Sequence, residues 1–356
     1  MAKQPRASKK VAGIGLIALD LLVRDDTTSP YVSAGGTCGN VLAILATLGW
    51  KAQAIGRLQS DACSDLISQD LRACGVNTDL LGMSPTAPAP VIVERLRLDS
   101  AGIPFHSFSF ACPFCGERLP SYQPVTISSI QDHCETILQN DILFVDRASP
   151  GAVELATLFY SAGKIVVFEP STSKIDHLLY KMLAVSHIVK YSHERFPELE
   201  ENDWPLARKL EVQTLGRGGL RFRYRGKTVL SSWQHLHAPK RDSVVDTCGA
   251  GDWATAGLME LTCQTGLDGL MGLSKEKVLN ALGFSQKLGS WNCDFPGARG
   301  AMYSMSKGEL LQEIKKLAHP SVLTMPTSEV PKRNLDGTRA CRLCNEMSSS
   351  KLRKRG

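Results

Sequence analysis

The 356-residue sequence predicts an α/β fold with a doubly wound, mostly parallel central sheet flanked by helices, plus a small β lid. From residue 127 onward, short apolar runs alternate with longer segments of helical periodicity. Strands that alternate with helices form parallel sheets with right-handed crossovers. Before this regular part, the sequence predicts a hairpin with one polar face, formed by residues 91–98 and 105–110. We interpret this hairpin as part of a lid over a cleft.

The elements follow from periodicity and from glycines at helix ends, such as Gly49 and Gly75. In chain order, the predicted strands are residues 11–18, 52–55, 91–98, 105–110, 142–145, 165–168, 188–190, 212–215, 220–224 and 228–230. The predicted helices are residues 41–49, 61–74, 127–138, 150–162, 175–183, 250–265, 275–291 and 307–318. We expect one folded domain over residues 11–325, with lid segments at about 20–36 and 89–112, between basic tails at 1–10 and 326–356.

Composition excludes several classes of protein. Hydrophobic residues make up 43% of the chain, as in an ordinary soluble core, and no apolar run is long enough to span a bilayer. The basic start is not followed by an export segment, so we expect a cytoplasmic protein without a membrane partner. The eleven cysteines are scattered and odd in number, which indicates mainly reduced thiols.

The net charge of +6 belongs to the tails. Residues 1–10 carry four basic side chains and no acid, and residues 327–356 carry eight basic and three acidic ones, so the part between them has a net charge of about −3. We therefore do not expect a nucleic-acid partner.

The segment Asp246-Thr-Cys-Gly-Ala-Gly-Asp252 precedes a predicted helix. Its small residues allow a tight turn, and the free N–H groups of a helix start suit a phosphate. Asp252 lies in the first turn, where the helix dipole should keep it a carboxylate at neutral pH. An anion cradle beside a carboxylate base is what phosphoryl transfer to a hydroxyl requires, although a glycine turn with a capping aspartate is an equal alternative from this segment alone.

Further along the chain, acidic and basic residues follow the predicted strands: Asp20, Asp146, Arg147, Glu169 and Glu194. Ligands of open α/β sheets bind at the carboxyl ends of the strands, so these side chains are candidates for the site.

Three segments together resemble the ribokinase-like, or PfkB, family of sugar and nucleoside kinases. Residues 246–252 match its Asp-Thr-x-Gly-Ala-Gly-Asp signature. Residues 35–49, with Gly35, Gly36 and Asn40, look like its N-terminal signature, and residues 212–219 resemble its nucleotide-contacting strand and glycine turn. The resemblance covers about residues 11–318.

This resemblance implies roles for individual residues. Asp252 would be the general base, and Gly249, Ala250 and Gly251 would form the anion hole. Asp20, Gly35, Gly36 and Asn40 would bind the substrate. Thr214, Gly216, Gly218, Glu194 and Gln286 would serve ATP and its Mg²⁺, and Asp246 matches a position that helps to bind a monovalent cation such as K⁺ in some relatives. A homodimer through the lid is also expected by analogy.

The chain departs from the family pattern in the magnesium and adenine regions. Tyr191 stands where the family usually has asparagine, three residues before Glu194, and Gln286 stands for another asparagine. Asn292 and Arg299 add polar groups near the expected position of the adenine. Because of these changes, the resemblance specifies the type of reaction more closely than the identity of the donor nucleotide.

Two Cys-x-x-Cys pairs are not explained by the resemblance. Cys112 and Cys115 have the form of a zinc knuckle, and Cys341 and Cys344 lie in the C-terminal tail. Two such pairs can supply a tetrahedral four-thiolate zinc site, provided that the tail reaches the base of the lid. Two unrelated thiol pairs are the alternative.

The sequence thus predicts an ATP-dependent carbohydrate kinase that phosphorylates a hydroxyl of a small sugar or sugar derivative. A nucleoside kinase of the same fold is the first alternative, with Phe105, Phe108 and Phe110 as a clamp for the base. A non-catalytic nucleotide- or sugar-binding protein is the second.

Overall fold

The computed structural model describes residues 9–23, 30–82, 84–98, 104–171, 175–196, 205, 207–226, 229–241 and 244–318. Its strands are β1 (Lys10–Ile14), β2 (Ala18–Val23), β3 (Tyr31–Gly35), β4 (Lys51–Ile55), β5 (Val76–Leu80), β6 (Val91–Leu98), β7 (Pro104–Ser109), β8 (Ile142–Val145), β9 (Ile165–Phe168), β10 (Ile188–Ser192), β11 (Leu210–Thr214), β12 (Leu220–Tyr224) and β13 (Gln234–Leu236). Its helices are α1 (Thr37–Thr47), α2 (Ala62–Ala73), α3 (Ile127–Ile137), α4 (Pro150–Ser161), α5 (His177–Ala184), α6 (Ala250–Thr262), α7 (Gly266–Met271), α8 (Lys275–Asn292), α9 (Gly300–Ser304) and α10 (Lys307–Ala318).

Nine strands form one large sheet in the order β13-β12-β11-β10-β9-β8-β1-β4-β5. The strands from β11 to β5 pair in parallel, and β12 and β13 join antiparallel at one edge. This arrangement confirms the predicted doubly wound, mostly parallel α/β sheet.

Alternating side chains of the central strands pack into two separate apolar layers. In β8, Ile142 and Phe144 enter one layer, while Leu143 and Val145 enter the other. Helices α1, α2, α6, α8 and α10 cover the first layer, and α3, α4 and α5 cover the second. Full burial of each such side chain contributes roughly 1.5–3 kcal/mol, so both faces of the sheet must be covered.

A second sheet of four strands, here called the small sheet, has the order β3-β2-β6-β7. It lies within the two segments predicted as the lid. The chain passes from β1 to β2 through Leu16, whose N–H donates to Asp146 Oδ1 at 2.8 Å. The Leu16 carbonyl accepts from the N–H groups of Cys38 and Gly39, at 3.1 and 3.3 Å. The crossing between the two sheets is therefore fixed to the first turn of α1.

Two predicted strands differ from the structure. The single strand expected over 11–18 is wrong in extent, because the chain leaves the large sheet after Ile14 and begins β2 at Ala18. The antiparallel partner expected at 228–230 is also misplaced. β12 pairs with β13, and only one bridge joins Arg225 to Leu230.

Other elements were missed or run together. Strand β5, with its period-2 burial, pairs in parallel with β4 at the edge of the large sheet. The helix expected over 250–265 ends at Thr262, and α7 begins at Gly266, whose φ of 72° cannot continue an α-helix. Among the described residues, none of the helices combines the length and apolar character needed to cross a membrane. Both predicted tails, apart from Lys9 and Lys10, lie outside the described residues.

Candidate active site

Asp252 lies in the first turn of α6, at the carboxyl ends of the central strands. Asn40, in the first turn of α1, donates its Nδ2 hydrogen to Asp252 Oδ2 at 2.7 Å. Two helix starts far apart in sequence thus meet at one carboxylate. The amide fixes one oxygen of Asp252 and leaves the other for a second partner.

The start of α6 has the geometry of an anion site. Gly249 precedes it with a left-handed φ of 73°, and no side chain in the described part of the chain caps this N-terminus. A Cβ on Gly249 would lie 2.1 Å from the Ala298 carbonyl oxygen, so only glycine permits this close passage. Gly249 and Gly251 therefore carry backbone N–H groups suited to an anion, whereas the Ala250 N–H donates to the Thr247 carbonyl at 3.3 Å.

The carboxyl group of Asp252 is harder to ionise than the sequence suggested. Desolvation by burial, reinforced by the charge of Glu169, raises its pKa from 3.8 to about 7, although the Asn40 hydrogen bond and the Lys190 charge lower it. The expectation that the helix dipole keeps Asp252 a carboxylate at neutral pH is thus wrong. Burial outweighs the dipole, and the group is half-protonated near pH 7.

An ion pair stands directly beside this helix start. Lys190 Nζ lies 2.6 Å from Glu169 Oε1, both side chains are buried, and the Thr255 hydroxyl donates to the other oxygen of Glu169. A Cβ on Gly251 would be 3.8 Å from both Lys190 Nζ and Glu169 Oε1. A buried ammonium group therefore faces the anion site. Lys190 was missed in the sequence, although a lysine within an apolar strand is itself a signal of a buried partner.

Three of the four predicted substrate residues, Asp20, Gly35 and Gly36, lie on or next to the small sheet. A Cβ on Gly35 would be 1.7 Å from Asp20 Oδ2, so glycine is required where β3 passes this carboxylate. Burial raises the pKa of Asp20 to about 7, although the nearby charge of Arg299 lowers it. Gly36 precedes α1 with a φ of 76°. Asn40, in contrast, is directed to Asp252.

A pocket opens between the small sheet and the segment before α9. Its lining residues are Asp20, Leu22, Tyr31, Ser33, Glu94, Pro296, Gly297, Ala298, Arg299, Gly300 and Tyr303. Asp20 Oδ1 and Glu94 Oε1 are buried and accept no hydrogen bond from the described residues. The pocket therefore offers acceptors to a ligand with hydrogen-bond donors.

Asp246, at the other end of the signature segment, is buried and well satisfied. Its Oδ1 accepts from the Cys248 N–H at 2.9 Å, and its Oδ2 accepts from the Gly297 N–H at 2.7 Å. Burial alone would raise its pKa, but hydrogen bonds from His106 and from these two N–H groups lower it. Asp246 thus holds the loop of Gly297 against the loop before α6 and stays ionised.

The predicted nucleotide residues gather at the β11–β12 side of the sheet. Thr214 ends β11, and its carbonyl accepts from the N–H of His193, beside the exposed Glu194. Gly216 and Gly218 form a single 3₁₀ turn after it. Gln286, on α8, donates to the His237 carbonyl at 3.3 Å, in the segment that follows β13. The structure therefore brings these candidates to one edge of the sheet.

Two of the unusual residues have structural roles. The Tyr191 hydroxyl donates to Glu211 Oε1 at 2.7 Å in the core, and burial raises the pKa of Tyr191. Asn292 is buried and donates to the carbonyls of Cys248 and Ala298. Tyr191 thus faces away from solvent and is a core residue.

Arg299 is not where the sequence suggested. Its Nη2 lies 2.6 Å from Asp70 Oδ2 and also donates to the Ala34 carbonyl of β3. The Tyr303 hydroxyl adds a hydrogen bond to Asp70 at 2.9 Å. The expectation that Arg299 lies near the adenine is corrected: Arg299 holds α2, the small sheet and the start of α9 together.

Only half of the four predicted zinc ligands lie in the described part of the chain. The Cys112 carbonyl accepts from the Gly116 N–H at 2.9 Å, and the Cys112 N–H donates to the Glu117 carbonyl at 2.7 Å. Gly116 has a φ of 74°, so Cys112 and Cys115 are in a tight turn closed by a glycine. Cys341 and Cys344 lie outside the described residues.

Comparison with known proteins gives one family match. Residues 9–94 match the sequence model described as "pfkB family carbohydrate kinase". This range contains Asp20, the paired glycines and Asn40. No curated protein matches the chain.

Solved structures extend the likeness to most of the chain. Fructokinase with bound ATP from Xylella fastidiosa has 22% identity and a TM-score of 0.66, over 87% of this chain and 100% of that one. Aminoimidazole riboside kinase from Salmonella enterica has 18% identity and a TM-score of 0.61, over 87% and 100%. This chain resembles the PfkB family and has the ribokinase-like fold. A fructokinase double mutant from Vibrio cholerae O395, with fructose, ADP and potassium ion bound, has 18% identity and a TM-score of 0.60, over 82% and 94%.

Proposed function

We propose that this ribokinase-like protein transfers the γ-phosphoryl group of ATP to a hydroxyl of a small sugar or sugar derivative. The proposal rests on one observation, the presence of three features around the carboxyl group of Asp252. A partly buried Asp252 is oriented by Asn40, lies at the N-terminus of α6, and has the Lys190 ammonium nearby.

In this reaction Asp252 acts as the general base. Its free oxygen accepts the proton of the acceptor hydroxyl while the hydroxyl oxygen attacks the γ-phosphorus atom of ATP. The bond from this phosphorus to the β–γ bridging oxygen breaks, and ADP leaves. The backbone N–H groups at Gly249–Gly251 and the α6 dipole stabilise the charge on the transferred group. A general base contributes about 10²–10⁴-fold to the rate. Phosphoryl transfer needs little else from the protein than this positioning and charge.

ATP and Mg²⁺ fit the residues on the β11–β12 side. The space beside the 3₁₀ turn is open at Gly216, where a Cβ would meet nothing within 4 Å, and Thr214 and Gly218 lie next to it. Gln286 would lie near the base, and the exposed carboxylate of Glu194 is an oxygen ligand of the kind that Mg²⁺ prefers. The ion would offset the phosphate charge.

Acceptor-dependent ADP release tests the proposal. The purified protein is screened with ATP and Mg²⁺ against a panel of aldoses, ketoses, sugar derivatives and nucleosides. We expect turnover with one sugar class that is lost in Asp252→Asn while ATP binding persists. Absence of turnover with every acceptor would contradict the proposal and support a non-catalytic binding protein.

A nucleoside acceptor is the second candidate. Phe108 and Phe110 on the small sheet are 52% and 57% exposed and could cover an aromatic base. A solved neighbour is bound to aminoimidazole riboside, which adds a base-bearing substrate to the comparison. The same screen separates the candidates, because turnover with a nucleoside and none with any sugar would select this one.

We propose a monovalent cation site at Asp246, and a potassium ion is present in the solved structure of one neighbour, the fructokinase double mutant. Each of its oxygens accepts one backbone N–H group and keeps capacity for a further partner. We expect K⁺ to raise turnover, and the comparison of K⁺ with a bulky organic cation at constant ionic strength measures this.

We also propose that Cys112, Cys115, Cys341 and Cys344 hold one structural zinc. The glycine-closed turn at Cys112–Gly116 is the support in the described residues. Metal analysis of the purified full chain should give about one zinc per chain, lost in Cys115→Ser and in Cys341→Ser and kept in Cys134→Ser on α3. Less than about 0.5 zinc per chain in the unsubstituted protein would contradict the site.

A homodimer through the small sheet is the final part of the proposal. Strand β7 is an outer strand of that sheet in the described residues, and its residue Phe108 is exposed. Exposed edges of this kind can pair with a second copy. Light scattering should show a dimer that Phe108→Ser weakens, and a monomeric unsubstituted protein would exclude it.

A further inference from the structure

The face of the small sheet that points to the signature loop carries two ligand-type side chains. On adjacent strands, Glu94 of β6 lies opposite Phe108 of β7, and His106 lies opposite Leu96. Glu94 and His106 are therefore diagonal neighbours on one face. Across from them lies Asp246, at 3.5 Å from its Oδ1 to His106 Nδ1. One ligand atom from each of the three residues lies within 4.8 Å of the other two.

Among the described residues, Asp246 has a basic side chain beside it, His106, whereas Glu94 has none. Glu94 is 2% exposed, and its Oε1 accepts no hydrogen bond in the described part of the chain. Asp20 lines the same pocket. Arg299 reaches this pocket, but its guanidinium is already paired with Asp70 at 2.6 Å. Two buried carboxylates and an unpartnered oxygen thus converge with an imidazole, which favours a bound cation.

We propose that Glu94, His106 and Asp246 bind a divalent transition-metal ion, of the zinc or manganese type. Two carboxylates and one imidazole are ligands that these ions accept, with remaining positions open to water. Ligand atoms about 2.0–2.2 Å from one ion lie roughly 3–4 Å apart, and the His106–Asp246 separation already falls in this range. Each Asp246 oxygen can still bind a metal beside its backbone N–H donor.

This site shares Asp246 with the proposed monovalent site and differs from it in its other two ligands, Glu94 and His106, and in its consequence. Two of the three ligands come from the small sheet, and the third comes from the loop that leads into α6. An ion held by all three therefore ties β6 and β7 to that loop. Without an ion, the described residues join these parts by weaker polar contacts, such as that from Thr247 Oγ1 to His106 Nδ1 at 3.2 Å. The bound ion would keep the small sheet closed over the pocket that Asp20, Glu94 and Arg299 line.

Manganese binding tests the site, because Mn²⁺ prefers oxygen and nitrogen ligands and leaves the thiolate pairs aside. The full-length protein is freed of metal and titrated with Mn²⁺ without nucleotide and in excess K⁺. The paramagnetic resonance signal of free Mn²⁺ gives the bound fraction. We expect one ion per chain, with a hyperfine coupling to a histidine nitrogen.

Matched variants decide whether these ligands are responsible. Glu94→Gln and His106→Gln should each weaken Mn²⁺ binding at least about tenfold, and His106→Gln should remove the nitrogen coupling. Glu135→Gln and His133→Gln, both exposed on α3, should leave binding unchanged. If His106→Gln fails to fold, the isosteric Glu94→Gln carries the test, with circular dichroism as the check. The proposal is overturned if the unsubstituted protein binds no Mn²⁺, or if the variants bind it like their controls.

Discussion

Replacing Asp252 by asparagine should make the protein more stable and at the same time inactive. The substitution keeps the size of the side chain, and an amide oxygen can still accept the Asn40 hydrogen bond of 2.7 Å. It removes a carboxylate that burial and Glu169 make costly to ionise. The same substitution removes the proposed base, so turnover should fall about 10²–10⁴-fold.

The magnitude follows from the pKa. A rise from 3.8 to about 7 is about three units, or about 4 kcal/mol at 1.36 kcal/mol per unit. Because Asp252 is partly exposed, solvent screening reduces this free-energy cost of ionisation. We therefore expect Asp252→Asn to raise the free energy of unfolding by about 1–3 kcal/mol. Because folding raises the pKa of Asp252, the folded protein favours the protonated carboxyl group. The stability that this preference contributes to the unsubstituted protein is fully present below about pH 4 and is lost as the pH rises to about 7. The gain from Asp252→Asn should therefore be seen at pH 8 and vanish at pH 4.

Urea unfolding at the two pH values and ADP release measure both effects. Asp65→Asn is the control, since Asp65 lies in the first turn of α2 and is exposed. Turnover of the unsubstituted protein should rise as the pH passes through about 7, when Asp252 loses its proton. Equal stability of Asp252→Asn and the unsubstituted protein at pH 8, or normal turnover of the variant, would refute the reasoning.

Three further predictions concern the surroundings of Asp252. Asn40→Leu removes the hydrogen bond that favours the ionised carboxylate, so the pH at which turnover rises should move upward; an unchanged pH–rate profile would exclude this role. Lys190→Met leaves Glu169 buried without its charge partner and should cost about 3–5 kcal/mol in urea unfolding, with partial recovery in Lys190→Met/Glu169→Gln. Gly249→Ala should lower the melting temperature well below that of Gly216→Ala: both glycines have positive φ, but only at Gly249 would a Cβ meet a backbone oxygen, so equal losses would show that this contact is unimportant.

Much of the large sheet could be predicted from the sequence, because strands buried on both faces leave continuous apolar runs such as residues 142–145 and 165–168. Strand β5 was missed, since the edge position replaces that run with the mixed segment Val76–Leu80. The join of β1 and β2 was missed for a different reason. Both flanks are apolar, and hydropathy does not show that they enter two different sheets.

The candidate site was predicted where small residues and acids have a fixed spacing, as in residues 246–252. Its electrostatics could not be predicted, because the pKa of Asp252 depends on Glu169 and Lys190, which are distant in sequence. Arg299 was misplaced for the same reason: its partner Asp70 is 229 residues away. Pairings of this kind are set by the tertiary fold and leave no local pattern.

The crossing at Leu16 connects the position of the small sheet to the position of the proposed base. The Leu16 N–H donates to Asp146, and the Leu16 carbonyl accepts from the start of α1, the helix that carries Asn40. A displacement of the small sheet at this crossing would therefore also shift that helix start. Closure of the small sheet over a substrate would thereby move the Asn40 amide that orients Asp252. Occupancy of the pocket would then be coupled to the orientation of the proposed base.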